Sequence, residues 1–99
     1  MKRYYAAVIK TFKCANTQAL SQGERVKRFE NIATVARRKL RQLEIAARLD
    51  DLRVPPGNRL EALKGARAGQ HRIRVNDQFR VSFRWTDAGA EDVEIVDYH

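Results

Sequence analysis

Apolar and polar positions along the chain change period near residue 59, which divides it into a helical half and a strand half. Between 24 and 49, Val26, Phe29, Ala33, Ala36, Leu40, Leu43 and Ala47 recur at alternating spacings of three and four. This is one apolar stripe on a long amphipathic helix, which at 1.5 Å per residue would span on the order of 39 Å. The other positions hold Arg25, Lys27, Arg28, Arg37, Arg38, Lys39, Arg41 and Arg48, so the side away from the stripe reads as exposed and basic. Ahead of it, "NTQALSQG" (16–23) offers Asn16 or Thr17 as an N-cap and Gly23 as a stop, which predicts a short helix. "AAVIKTF" (6–12) reads as a short strand of poor alternation. Pro55 and Pro56 in "RLDDLRVPPGN" (48–58) cannot continue a helix and push Val54 to extended backbone, so this stretch is a turn into the second half.

From Arg59 the period is two. "RLEALKG" (59–65), "HRIRVN" (71–76), "FRVSFRW" (79–85) and "DVEIVDY" (92–98) read as four strands of an antiparallel meander. Parity selects the turn between the second and third. A two-residue loop at Asn76-Asp77 sets Ile73 opposite Arg80, whereas a three-residue loop, 76–78, pairs Val75 with Phe79 and Ile73 with Val81. In the second register Ile73, Val75, Val81, Phe83 and Trp85 share the face that receives the long helix. Arg72, Arg74, Arg80, Ser82 and Arg84 share the other, joined from the last strand by Glu94, Val96 and Tyr98. Four arginines on one sheet surface repel each other and call for an anion. His71 falls on the core side and reads as a packing or edge residue.

Composition adds the class of partner. The chain has 99 residues, enough for a single domain, 1–99. It carries 20 Lys and Arg against 12 Asp and Glu, with a net charge of +8. Five of the acids (Asp87, Glu91, Asp92, Glu94, Asp97) lie in the last thirteen residues, which hold no Lys or Arg. Residues 1–86 therefore set 20 basic against 7 acidic side chains, a net of +13. That excess favours a polyanionic partner, with nucleic acid ahead of an acidic protein. The lone Cys14, the lack of a signal-peptide pattern and the lack of a membrane-length apolar run suit a cytoplasmic protein.

Three stretches carry a resemblance. "NRLEALKG", then "GQHRIRVNDQFRVSFRW", then the ending "EDVEIVDYH" closely resemble the HigB-type toxins of bacterial type II toxin–antitoxin systems, within the RelE/ParE superfamily. The likeness runs from about Val8, includes "DDLRVPPGNRLEALKG", and leaves 1–7 as an unmatched extension. It implies an α+β fold with two N-terminal helices packed on a mostly antiparallel sheet. Many such proteins cut mRNA in the ribosomal A site without a metal ion or cofactor. The ParE-like branch instead poisons DNA gyrase and lacks the nuclease residues.

Metal-free RNA cleavage needs a base for the 2′-OH, a cation for the phosphorane and an acid for the leaving 5′-oxygen. By resemblance, Glu61 stands where YoeB-like relatives carry a glutamate base and many HigB proteins a histidine. Arg80 in "QFRV" matches the catalytic arginine, and its permanently charged guanidinium suits a phosphate clamp. Tyr98 and His99 match the C-terminal pair, with His99 as general acid and Tyr98 orienting the phosphate or stacking on a base. Asp97 is expected to belong to the same site, and Lys64, Arg72, Arg74 and Arg84 to contact the RNA backbone. The expected partners are a HigA-like helix-turn-helix antitoxin, the ribosome with its 16S rRNA and mRNA, and operator DNA through the antitoxin, with no membrane. Ala66, where the family often has aspartate, Ala68 and His71 depart from the pattern in 65–71. The rival readings are a ParE-like gyrase inhibitor and a non-catalytic protein that only binds RNA or its antitoxin.

Overall fold

The computed structural model describes residues 9–98, so what was expected of 1–8 and of His99 lies outside the described residues. Within them the turn at 76–78 sets the sheet. The Asn76 side-chain oxygen accepts the backbone N–H groups of Gln78 (2.9 Å) and Phe79 (2.7 Å), closing the loop on itself. The Val75 N–H then bonds the Phe79 carbonyl at 3.0 Å, and Ile73 pairs with Val81. This is the three-residue register that parity selects.

Around that turn lies one antiparallel sheet in the order β1 (Glu61–Ala62), β2 (Gln70–Arg74), β3 (Phe79–Thr86), β4 (Gly89–Asp97). Helices α1 (Ala15–Ser21) and α2 (Ala33–Ile45) pack on one face. The core joins Ile73, Val81, Phe83, Val93 and Ile95 of the sheet to Leu20, Phe29, Ala36, Leu40 and Leu43 of the helical half, all at most 2% exposed. Each fully buried Phe or Leu is worth roughly 1.5–3 kcal/mol of hydrophobic stabilisation.

The free edge of β4 is covered from the N-terminal side. Ile9 and Phe12 form parallel bridges with Ala90 and Val93, and the buried Thr17 hydroxyl accepts the Ile95 N–H at 3.0 Å. Those contacts leave less of the β4 edge open to a foreign strand.

Several elements differ from the sequence reading. The helix expected over 24–49 is broken: Val26 is extended, Lys27–Ile32 is a 3-10 segment, and regular α-helix runs only over Ala33–Ile45. Phe29 (φ −108°, ψ 16°) lies at the kink, where its ring meets Phe79 edge-on at 5.9 Å, so burial of both aromatics wins over helical regularity. At the far end Ala46 is extended, and the Asp51 carboxylate accepts the N–H groups of Ala47 (3.0 Å) and Arg48 (3.1 Å), opening the Leu49–Arg53 turn. Ala46 rather than Ala47 is therefore the buried residue.

Lys39 is also corrected. It is 8% exposed, and its ammonium donates to the Asn58 side-chain oxygen at 2.6 Å. The strand expected over 59–65 shrinks to Glu61–Ala62, because Arg59 takes a left-handed φ of 48° and Gly65–Arg67 winds into a 3-10 turn. The last strand begins at Gly89, with a register shift at Ser82/Arg84 that Asp92 accommodates at φ 53°.

Candidate functional site

The face of the sheet turned away from the helices is built by alternation. Across the strands one row reads Glu61, Arg72, Ser82, Glu94, and the next reads Arg74, Arg80, Val96. Each is a set of directly opposed residues, so the side chains within a row emerge on one side. The arginine face expected from parity is present, and Glu61 joins it through its pairing with Arg72.

The cations on this face are held by their own protein. Arg72 Nε donates to Glu61 Oε1 at 2.9 Å, with the glutamate side chain 54% exposed and the arginine 21%. Arg74 Nη2 lies 2.5 Å from Asp77 Oδ1. That hydrogen bond, followed by the Arg74 charge, holds the Asp77 carboxyl below its usual range. Arg80 Nη1 donates to the carbonyls of Asn76 and Phe79, the latter at 3.1 Å, and so is anchored to the 76–78 turn. Burial first, then the neighbouring Arg74 charge, pushes the Arg80 guanidinium downward, an effect that Tyr98 partly opposes.

Tyr98 closes the group. Its ring lies against two guanidiniums, 4.1 Å from Arg80 and 4.7 Å from Arg72, and its N–H bonds the Gln78 carbonyl. Tyr98 is 47% exposed. A carboxylate, a fixed arginine cluster and an aromatic ring thus stand together. They can take a proton, hold a phosphate and stack a base.

Other residues singled out in the sequence are placed apart. Lys64 is exposed at the start of the 65–67 turn, beyond the end of β1. Arg84 lies in the row of Gln70, at the end of the face away from the 76–78 turn. Asp97 pairs with Phe79 and so falls on the opposite side of the sheet, where its carboxylate accepts from the Gln78 amide at 3.1 Å. His71 stacks on Phe83 with centroids 6.1 Å apart, on the core side as parity requires; burial, then the charge of Arg53, lowers its pKa. His99 lies outside the described residues. Among the described residues no group of three His, Cys, Asp or Glu stands together to hold a metal ion, and no helix is long and apolar enough to cross a membrane.

Two groups escaped the sequence reading. Lys39, Gln42 and Asn58 form a buried polar network, because Asn58 also donates to Gln42 Oε1 (2.9 Å) and the Leu52 carbonyl (3.0 Å). Arg67 and Gln70 meet at Ser82 on the arginine side. Gln70 shares parity with Arg72 and Arg74, and that signal was available in the sequence.

Comparison with known proteins bears on the family. A family model described as the RelE-like toxin of the type II toxin–antitoxin system HigB matches residues 15–99. The chain is similar to Toxin HigB-1 of Vibrio cholerae serotype O1, 51% identical over 53 residues, which are 54% of this chain and 56% of that protein. The matched part thus spans about half the length of that curated relative.

Proposed function

The chain belongs to the HigB family of RelE-like toxins from type II toxin–antitoxin systems, and from that premise we propose that it is a metal-free mRNA endoribonuclease acting on ribosome-bound message. One observation supports this most directly. The Glu61–Arg72 pair, Arg74 and the Arg80–Tyr98 stack converge on a single sheet face, opposite the helices.

In the proposed reaction Glu61 takes the proton of a ribose 2′-OH, and the oxygen attacks the adjacent phosphorus. The P–O5′ bond breaks, leaving a 2′,3′-cyclic phosphate, and His99 gives its proton to the departing 5′-oxygen. Arg80, already fixed on the 76–78 turn, stabilises the charge of the phosphorane without reorganising. Tyr98 keeps the guanidiniums aligned or stacks on a neighbouring base. Arg72, Arg74, Arg84 and Lys64 bind the RNA backbone. Asp97 acts on the RNA only indirectly, by tying the end of β4 to the turn that holds Arg80.

A HigB toxin of a type II system pairs with an antitoxin. We take that partner to be a HigA-like helix-turn-helix protein that brings the toxin to operator DNA, and the toxin itself to work in the bacterial cytoplasm. The net +13 of residues 1–86 suits both rRNA and mRNA.

The test is a translation extract in which mRNA 5′ ends are mapped. Glu61→Ala, Arg80→Ala and deletion of His99 are each expected to lower cleavage by about 10²-fold or more. Unchanged cutting by all three overturns these roles. DNA-damage signalling on expression, with message intact, would replace them with gyrase inhibition.

A further inference from the structure

Beside the proposed cleavage site the same sheet face carries a polar cluster, Arg67, Gln70, Ser82 and Arg84, of which the chemistry above uses only Arg84, as a contact to RNA. Gln70 heads β2 and lies across from Arg84. Its side-chain oxygen accepts from Arg67 Nη2 at 3.3 Å and from the Ser82 hydroxyl at 3.5 Å, while Arg67 also reaches that hydroxyl at 3.4 Å. A guanidinium only donates, so the amide atom turned to Arg67 is the oxygen. Among the described residues the NH2 group of Gln70 makes no hydrogen bond of its own.

Arg84 supplies a second donor in the same row. Its Nη1 lies 2.8 Å from where a Cβ on Gly69 would stand, so the missing side chain at Gly69 (φ 93°) is what lets the guanidinium lie there. Ser82, 2% exposed, forms the floor, and directly across from it is Arg72, the partner of Glu61. The cluster is therefore one alternation step along β2 from the ion pair that holds the proposed base.

We propose that Gln70 and Arg84 form a nucleobase subsite that reads the carbonyl edge of a guanine or uracil next to the scissile phosphate, with Arg67 and Ser82 fixing the Gln70 amide. The subsite rests on the ribonuclease reading. A glutamine that recognises adenine uses both ends of its amide, and here the oxygen is already engaged. The Gln70 NH2 group and the Arg84 guanidinium are two donors in one row, which match the O6 and N7 acceptors of guanine or the O4 of uracil.

The substitution Gln70→Glu separates the possibilities. It keeps an oxygen on Arg67 and turns the NH2 donor into an acceptor, the polarity suited to the amino groups of adenine and cytosine. Cleavage sites of the full-length parent and of Q70E are mapped across many transcripts in a translation extract. The expected result is a change on the order of tenfold in the keto-to-amino ratio at one position flanking the cut. Arg67→Ala, which frees the amide to turn over, is expected to flatten that preference, and it carries the test if Q70E does not melt like the parent.

An unchanged base distribution in both variants, while the parent cuts, overturns the subsite alone. So does an equal loss at every site, which would make the cluster a plain phosphate contact. Intact message with the parent protein overturns the ribonuclease reading and the subsite with it.

Discussion

At the residue scale, the site is a problem of crowded positive charge. Arg72, Arg74 and Arg80 are settled by three different partners: a carboxylate across the strand, a carboxylate in the turn, and backbone carbonyls with an aromatic face. Each cation–π contact adds only about 0.5–1 kcal/mol at an exposed site, so an incoming phosphate can replace these contacts without unfolding anything. His71 shows the opposite treatment, a ring kept against Phe83 with Nδ1 buried and without a hydrogen-bond partner among the described residues. Its pKa is lowered by burial in the fold, so the unfolded chain binds more protons just below the ordinary histidine value of about 6.5. Stability must then fall as pH drops through that value. We expect His71→Phe to flatten the melting-temperature profile below about pH 6.5, as thermal unfolding by circular dichroism would reveal. The core-side position of His71 was legible in strand parity. The three-residue register also sets Phe83 directly across from it, whereas the stacked geometry of the two rings depends on how the core packs.

At the element scale, the departures from the sequence pattern share one cause. Spacings of three and four record which residues face inward, but they do not record whether the backbone stays helical while delivering them. Phe29 and Ile32 are buried, as an apolar face demands, yet through a 3-10 segment with its own direction. Lys39 fits a basic helix surface by pattern and is instead covered by the 49–58 stretch, where Asn58 receives it. Burial, then the charges of Arg38 and Arg74, lowers the Lys39 pKa. Removing one partner of such a buried pair is worse than removing the charge. Asn58→Ala is expected to cost about 2–4 kcal/mol in urea unfolding. Lys39→Met should cost less than about 1 kcal/mol, or stabilise. Equal losses for the two would show that the network is held by shape alone.

At the scale of the whole molecule, the helices take one face of the sheet and leave the other to the arginines, with net positive charge concentrated in residues 1–86. If the arginine face carries single-stranded RNA, each lost phosphate contact reduces the salt dependence of binding by roughly 0.7 on a log–log plot. Arg80→Ala and Arg74→Ala should each show that decrease by fluorescence anisotropy of a labelled RNA. Arg25→Ala, on the helical half and paired with Glu30, should leave the slope unchanged. Equal slopes for all three proteins would remove the sheet face as the RNA surface. The sequence by itself determined the strand alternation, the three-residue turn and hence the sharing of one face by Arg72, Arg74, Arg80 and Tyr98, because a period of two leaves each side chain only two directions. It also carried the motifs by which the chain resembles its family. Only the tertiary structure decided that Glu61 pairs with Arg72, that Tyr98 lies over two guanidiniums, that the Asp97 carboxylate accepts from the Gln78 amide and that Lys39 is buried. Those outcomes depend on distances between segments far apart in the chain, which are set by packing and turn geometry rather than by any local pattern.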